Sequence, residues 1–294
     1  MMQDFGNVLT AMVTPFKEDL SVDYDRAAQL AEKLLAEGSD GIVVAGTTGE
    51  SPTLTKAEKL QLFRVVKQAA GASPVIAGTG SNDTAETMAL TKAANDTGVD
   101  GVMFVGPYYN KPSQEGFYQH FKACAQVTGL PIVLYNIPGR TGKNIEASTI
   151  LRLAAELPNI HSVKEGSGDI KQMSEICAKK ANSFIVYSGD DGVTLPLLAL
   201  GGRGVISVVA HVAGRCMADM CTAFHAGDAA TARKLHHKVT PMIDACFLGS
   251  GNPACVKRAL EFAGFPCGGT RLPIVPASEQ DTATIRKAWE ELAL

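Results

Sequence analysis

The sequence predicts a (β/α)8 barrel of the TIM type with a helical C-terminal extension. Eight short β-branched apolar runs recur along the chain, punctuated by glycine- or proline-containing turns and longer helical stretches. The runs are apolar almost throughout, as expected of parallel strands covered on both faces. Eight is also the number that closes a barrel, and its usual size of ~250 residues fits within a chain of 294. An open doubly wound sheet is the alternative architecture.

The first run is VLTAMVTPF (8–16); after it, YDRAAQLAEKLLAEG (24–38) carries apolar residues at three- and four-residue spacing and a closing glycine. GIVVAGTTG (41–49) precedes TKAEKLQLFRVVKQAAG (55–71), where Thr55 as N-cap and Glu58 three residues on make a capping box. PVIAGTG (74–80) and GVMFVGPYY (101–109) are followed by NDTAETMALTKAANDTG (82–98) and SQEGFYQHFKACAQVTG (113–129), helices of the same form. The remaining runs are PIVLYNIP (131–138), IHSVKEG (160–166), FIVYSGDDG (184–192) and GVISVVA (204–210). Beyond Ala210 no further strand is predicted. One helix completes the barrel, which spans 1–225, and residues 226–294 form the extension, its clearest segments being DAATARKLHHKVTPMIDACF and NPACVKRALEFAG.

A formal net charge of −3 gives no electrostatic reason to expect nucleic acid or an anionic membrane as partner. No apolar run approaches the ~20 residues that span a bilayer. The N-terminal segment lacks the basic, apolar and small-residue regions of a signal peptide. Seven cysteines with no C-x-x-C pair read as reduced thiols, and together these features predict a cytoplasmic protein.

In a parallel barrel the active site lies at the C-terminal ends of the strands. Those ends carry GTTGES (46–51), GPYYNKP (106–112), YNIPGRTG (135–142) and Lys164. A lysine closing an apolar run is the most informative of these. With an ordinary pKa of about 10.4, only about 0.04% of its amine is neutral at pH 7. Desolvation that lowered the pKa to about 7.5 would leave roughly a quarter neutral, at a cost of about 4 kcal/mol to the charged form. A neutral amine attacks ketones and forms imines. Tyr135, on the consecutive strand, is expected beside it. Thr47, Thr48, Tyr109 and Tyr135 supply hydroxyls that pass protons without burying another charge. The GTTGES turn could hold a carboxylate on backbone N–H groups, and Arg140 could grip one bidentately. Taken singly, each of these residues also has an ordinary structural explanation. The Walker A and G-x-G-x-x-G spacings are absent. The six histidines show no ligand spacing and Asp190 and Asp191 have no partner acids, so neither a metal nor a cofactor is expected.

GTTGES, PYYNKPSQEG, YNIPGRTG and VKEGSGD, in this order and at these separations, resemble the pyruvate-dependent class I aldolase family over nearly the whole chain. Within that family the resemblance is to the branch that condenses pyruvate with L-aspartate-4-semialdehyde, the first committed step toward diaminopimelate and lysine. It implies Lys164 as the Schiff-base lysine and Tyr135 as the phenol that orients substrate. Thr47 and Tyr109 complete a hydroxyl relay, Tyr109 acting across a tight dimer interface. It implies Thr48, Gly189 and Ile206 around the pyruvate carboxylate, and Arg140 on the carboxylate of the semialdehyde. N-acetylneuraminate lyase and the 2-keto-3-deoxy sugar acid aldolases share the lysine and the tyrosine; the arginine of the GRTG loop favours the semialdehyde branch. The implied assembly is a homotetramer, a dimer of dimers, with a homodimer as the alternative. Lysine-inhibited relatives bind lysine at positions matching Ser51, Pro52, Lys56, Lys59, Asn82, Glu86 and Tyr108. Lys56 and Lys59 would repel the ligand's ammonium groups, so feedback by lysine is expected to be weak or absent.

Overall fold

The computed structural model describes residues 4–293; residues 1–3 and 294, which belong to the two predicted spans, lie outside the described residues. Eight parallel strands close into a barrel in sequence order: β1 (Val8–Ala11), β2 (Gly41–Val44), β3 (Val75–Gly78), β4 (Gly101–Val105), β5 (Ile132–Asn136), β6 (Ile160–Glu165), β7 (Ile185–Ser188) and β8 (Gly204–Ser207). β1 pairs with both β2 and β8, which shuts the cylinder and excludes the open sheet. The ladders are shorter than the apolar runs. Past the rim the run beginning at Val8 continues through Val13 and Phe16, which are buried outside the sheet.

The outer layer comprises α1 (Tyr24–Ala36), α2 (Lys56–Ala70), α3 (Thr84–Ala94), α4 (Gln114–Ala125), the one-turn α5 (Pro138–Thr141), α6 (Ala147–Glu156), α7 (Ile170–Lys179), α8 (Thr194–Ala199) and α9 (Ala210–His225). The capping box at α2 forms in full: Glu58 N–H donates to Thr55 Oγ1 (3.2 Å) and Thr55 N–H donates to Glu58 Oε2 (2.8 Å). α3 is shorter than its periodicity suggests, because Asp83 caps it and Asn95–Thr97 tightens into a 3-10 turn. Three further helices follow, α10 (Ala229–Ala245), α11 (Ala254–Phe262) and α12 (Glu279–Ala293). All seven cysteines are free. Among the described residues no helix is long and apolar enough to cross a membrane.

Side chains alternate across each strand. One set joins the barrel interior, which includes Leu9, Val43, Ile76, Val133, Tyr135 and Ile206; the other packs under the helices. Phe5 closes the bottom, its ring 4.8 Å from that of His161. Asp40 fixes the plug by accepting from the N–H groups of Asn7 (2.6 Å) and Val8 (2.9 Å). The base is filled in this way, and the rim where the strands finish carries the candidate site.

Closure demands close backbone approach at Gly204, where a Cβ would lie 1.8 Å from the Asn7 carbonyl oxygen. Gly204→Ala must therefore push β8 from the N-terminal segment, an overpacking cost of about 1–3 kcal/mol or more. Thermal unfolding should show a midpoint lowered by roughly 3 °C or more; an unchanged midpoint would contradict this closure.

Candidate active site

β5 and β6 run in a register that pairs Tyr135 with Lys164 and Asn136 with Glu165. Alternation then sends the first pair inward and the second outward. Lys164 is 4% exposed, and its Nζ lies 4.3 Å from the centroid of the Tyr135 ring. Burial lowers its pKa from 10.5 to about 8; the buried carboxylate of Asp191 pulls it upward and the Arg140 guanidinium pushes it down. That displacement corresponds to about 3 kcal/mol against the ammonium form and leaves roughly a tenth of the amine neutral at pH 7. Asp191 is anchored by the N–H groups of Val208 (2.9 Å) and Val209 (3.0 Å), which donate to its Oδ2.

Tyr135 is buried, which raises its phenol to about 12; Arg140 and a hydrogen bond with Thr47 act in the opposite direction. It therefore stays protonated at neutral pH and can give or relay a proton. Outside the barrel, Glu165 accepts from Asn136 Nδ2 (3.0 Å), Gln172 Nε2 (3.0 Å) and the Ser167 N–H (2.7 Å). Asn136 also accepts from the Ile145 N–H at 3.0 Å. These bonds tie the ends of β5 and β6 to the loops beyond them, which fixes the relative positions of Tyr135 and Lys164.

The turn after β2 is bracketed by two non-glycine residues in the left-handed region, Ala45 (φ 53°) and Glu50 (φ 56°). A Cβ on Gly78 would lie 2.4 Å from the Ala45 carbonyl oxygen, so only glycine permits that path. Within the turn the N–H groups of Gly49 and Glu50 donate to the carbonyls of Gly46 and Thr47 at 3.1 Å, and that of Ser51 to Gly46 at 3.3 Å. Those of Thr47 and Thr48 have no backbone acceptor among the described residues. Successive free N–H groups in such a turn suit an anion.

A cavity of about 330 Å³ opens beside Tyr135. It brings together Thr47, Tyr135 and Arg140 with Ser51, Pro52, Lys59, Glu86 and Tyr108. Lys164 is not in its wall but stands against the Tyr135 ring, which borders both. Thr48, Gly189 and Ile206 are likewise absent from that wall. Ile206 is buried among the interior residues, and Gly189 must be glycine because a Cβ would approach Gly166 Cα to 2.9 Å. Tyr109 is 89% exposed, held at φ 71° and absent from the cavity wall.

The two lysines of α2 separate. Lys56 is exposed, while Lys59 is partly buried on the cavity wall, its pKa lowered by burial and supported by Glu86. Burial and Glu86 both raise the pKa of Tyr108. Asn82 donates through Nδ2 to the Tyr108 carbonyl at 3.2 Å. Glu165, Gln172, Asn252 and Lys257 were not among the residues singled out from the sequence, and Asp191 was considered there only as a metal ligand. Among the described residues no cluster of three His, Cys, Asp or Glu side chains is placed to hold a metal ion.

A closed parallel barrel with a buried amine at the end of its sixth strand has the architecture of a class I, imine-forming lyase. The family model of the dihydrodipicolinate synthetase family matches residues 4–292, and the chain belongs to that family. It is 55% identical to 4-hydroxy-tetrahydrodipicolinate synthase of Moorella thermoacetica over 99% of both chains. The crystal structure of a dihydrodipicolinate synthase from Bacillus anthracis superposes with a TM-score of 0.96 at 48% identity, covering 98% of this chain and 99% of that one. The lysine-bound enzyme from Cyanidioschyzon merolae gives a TM-score of 0.96 at 45% identity, covering 99% of each chain.

The free amine is the attacking form, so imine formation should rise about tenfold per pH unit below a pKa of about 8 and level off above it. Tyr135, titrating at about 12, adds no limb in that range. Borohydride trapping rates from pH 6 to 9.5 check this; a profile still climbing without curvature at pH 9.5 would show an unshifted lysine.

Proposed function

We infer that the chain condenses pyruvate with L-aspartate-4-semialdehyde, the activity of 4-hydroxy-tetrahydrodipicolinate synthase. The observation that carries this reading is the buried Lys164 amine against the Tyr135 ring, in a family whose members bear that name.

Neutral Nζ of Lys164 attacks C2 of pyruvate. The carbinolamine loses water to give an imine, and a proton leaves C3 to give an enamine. Tyr135, hydrogen-bonded to Thr47, is the proton carrier for these transfers. The pyruvate carboxylate lies at the Thr47–Thr48 amides and the Thr48 hydroxyl, with Gly189 and the Ile206 backbone shaping that pocket. C3 then attacks the semialdehyde carbonyl, whose own carboxylate is held by Arg140 at the cavity edge. Attack of the substrate's amine on C2 closes the ring and releases Lys164. One water is lost overall.

We further propose that Tyr109 joins the relay of a second subunit, in a homodimer or a dimer of dimers. Its exposure and left-handed backbone support a partner that accepts the ring. We keep the boundary of barrel and extension at 225–226, and the end of α9 at His225 supports that reading. A cytoplasmic site of action accords with the reading of the free cysteines as reduced thiols.

Incubation with pyruvate and borohydride should add pyruvate-derived mass at Lys164 alone, and Lys164→Arg should lower kcat by about 10³-fold or more. Turnover should follow with aspartate semialdehyde and not with N-acetylmannosamine or glyceraldehyde. An adduct on another lysine, or faster turnover of a sugar, would overturn the assignment.

For feedback, Lys59, half-buried beside Glu86, lines the cavity together with Ser51, Pro52 and Tyr108, and its ammonium would repel those of a lysine ligand. L-lysine should leave at least half the activity at 1 mM. Half-inhibition below that concentration would show the two α2 lysines to be compatible with the ligand.

A further inference from the structure

We propose that Asn252 and Lys257, from the extension, are positioning residues that hold the Gly46–Ser51 turn in its carboxylate-accepting shape. The C-terminal helices are then part of the substrate site. This rests on the reading of that turn as the pyruvate carboxylate's seat.

The turn cannot hold its own shape. Ala45, just before it, and Glu50, within it, sit in a backbone region that L side chains disfavour, and such conformations persist only where their surroundings over-determine them. The restraint comes from residues more than two hundred positions away. Glu50 is 2% exposed, and both its carboxylate oxygens are occupied: Oε1 accepts from Lys257 Nζ (2.8 Å) and Oε2 from the Arg271 N–H (2.9 Å). Lys257 is buried as well, donates to the Gly269 carbonyl at 2.6 Å and lies over the Phe16 ring at 4.3 Å. An ion pair closed off in this way cannot exchange with water, so the Glu50 backbone goes where Lys257 is. From the other side Thr14 Oγ1 donates to the Gly49 carbonyl at 2.6 Å.

Asn252 acts on the chemistry more directly. Its Nδ2 donates to Thr48 Oγ1 at 2.8 Å in a buried contact. A hydroxyl oxygen that accepts there keeps its proton for another partner. Thr48 is thereby set as a donor, the role an incoming carboxylate requires, next to N–H groups that already suit an anion. Alanine at 252 would free the hydroxyl to rotate and to donate into the turn instead.

Three variants separate the possibilities, each first shown to be folded by circular dichroism and thermal melting. Asn252→Ala, and the double variant Glu50→Gln/Lys257→Met that removes both charges together, should each raise KM for pyruvate at least tenfold. In both, kcat should fall less than threefold, KM for aspartate semialdehyde should stay within twofold, and Lys164 should still be trapped fully at saturating pyruvate. Thr48→Val measures the seat itself and should raise pyruvate KM at least as much. If Thr48→Val weakens pyruvate while the other two do not, the positioning proposal fails and the carboxylate seat stands. If Thr48→Val is also without effect, both fail. A rise in both KM values together, tracking a lowered melting point, would mark a merely structural role and overturn the proposal.

Discussion

An amine that ionises readily in water is here placed where water scarcely reaches, and the rest of the barrel mouth depends on that. Burial of Lys164 favours the neutral nitrogen. The displacement is moderate because Asp191 opposes it, although Arg140 adds to it. Asp191 is pinned by two backbone donors, so its opposition is constant. Arg140 is exposed at the cavity edge and is the member of the set that substrate can engage. The nitrogen thus stays largely protonated at pH 7, with a fraction neutral enough to react.

Such a balance is useful only if the amine and its phenol keep one geometry. Parallel pairing of β5 and β6 supplies it, since a one-residue slip would turn both inward side chains outward. Glu165, Asn136 and Gln172 guard against that slip from the outer face: Asn136 bonds Glu165 across the two strand ends, the Ile145 N–H donates to Asn136, and Gln172 donates to Glu165. One face of the two strands therefore holds the reacting groups and the other holds their alignment.

The eight strands were legible because strands buried on both faces leave continuous apolar runs. Their ends were not, because apolar residues such as Val13 and Phe16 continue past the rim to pack outside the sheet. Lys164 stood out since an ammonium contradicts the run that contains it. Asn252 and Lys257 did not, for polar residues at a helix start are ordinary and their partners Thr48 and Glu50 are 204 and 207 positions away. Glu165 and Gln172 escaped notice for the same reason: a satisfied outward-facing carboxylate looks like any strand-end acid until its partners are placed. Lys56 and Lys59, three residues apart on α2, differ in environment: the first is exposed and the second lines the cavity.

Two parts of the site remain in tension within a single chain. The turn that carries Thr47 and Thr48 is strained but braced on every side. The loop that carries Tyr109 is strained, with Lys111 also left-handed at φ 44°, and leaves its aromatic ring in solvent. Left-handed non-glycine residues cost of order 1–3 kcal/mol each. For Glu50 that cost is offset by the buried ion pair with Lys257. For Tyr109 nothing among the described residues of the same chain offsets it. A ring so displayed gains most by entering an apolar or hydroxyl-lined site. The extension of the same chain thus grips the first loop, whereas the ring carried by the second stays in solvent.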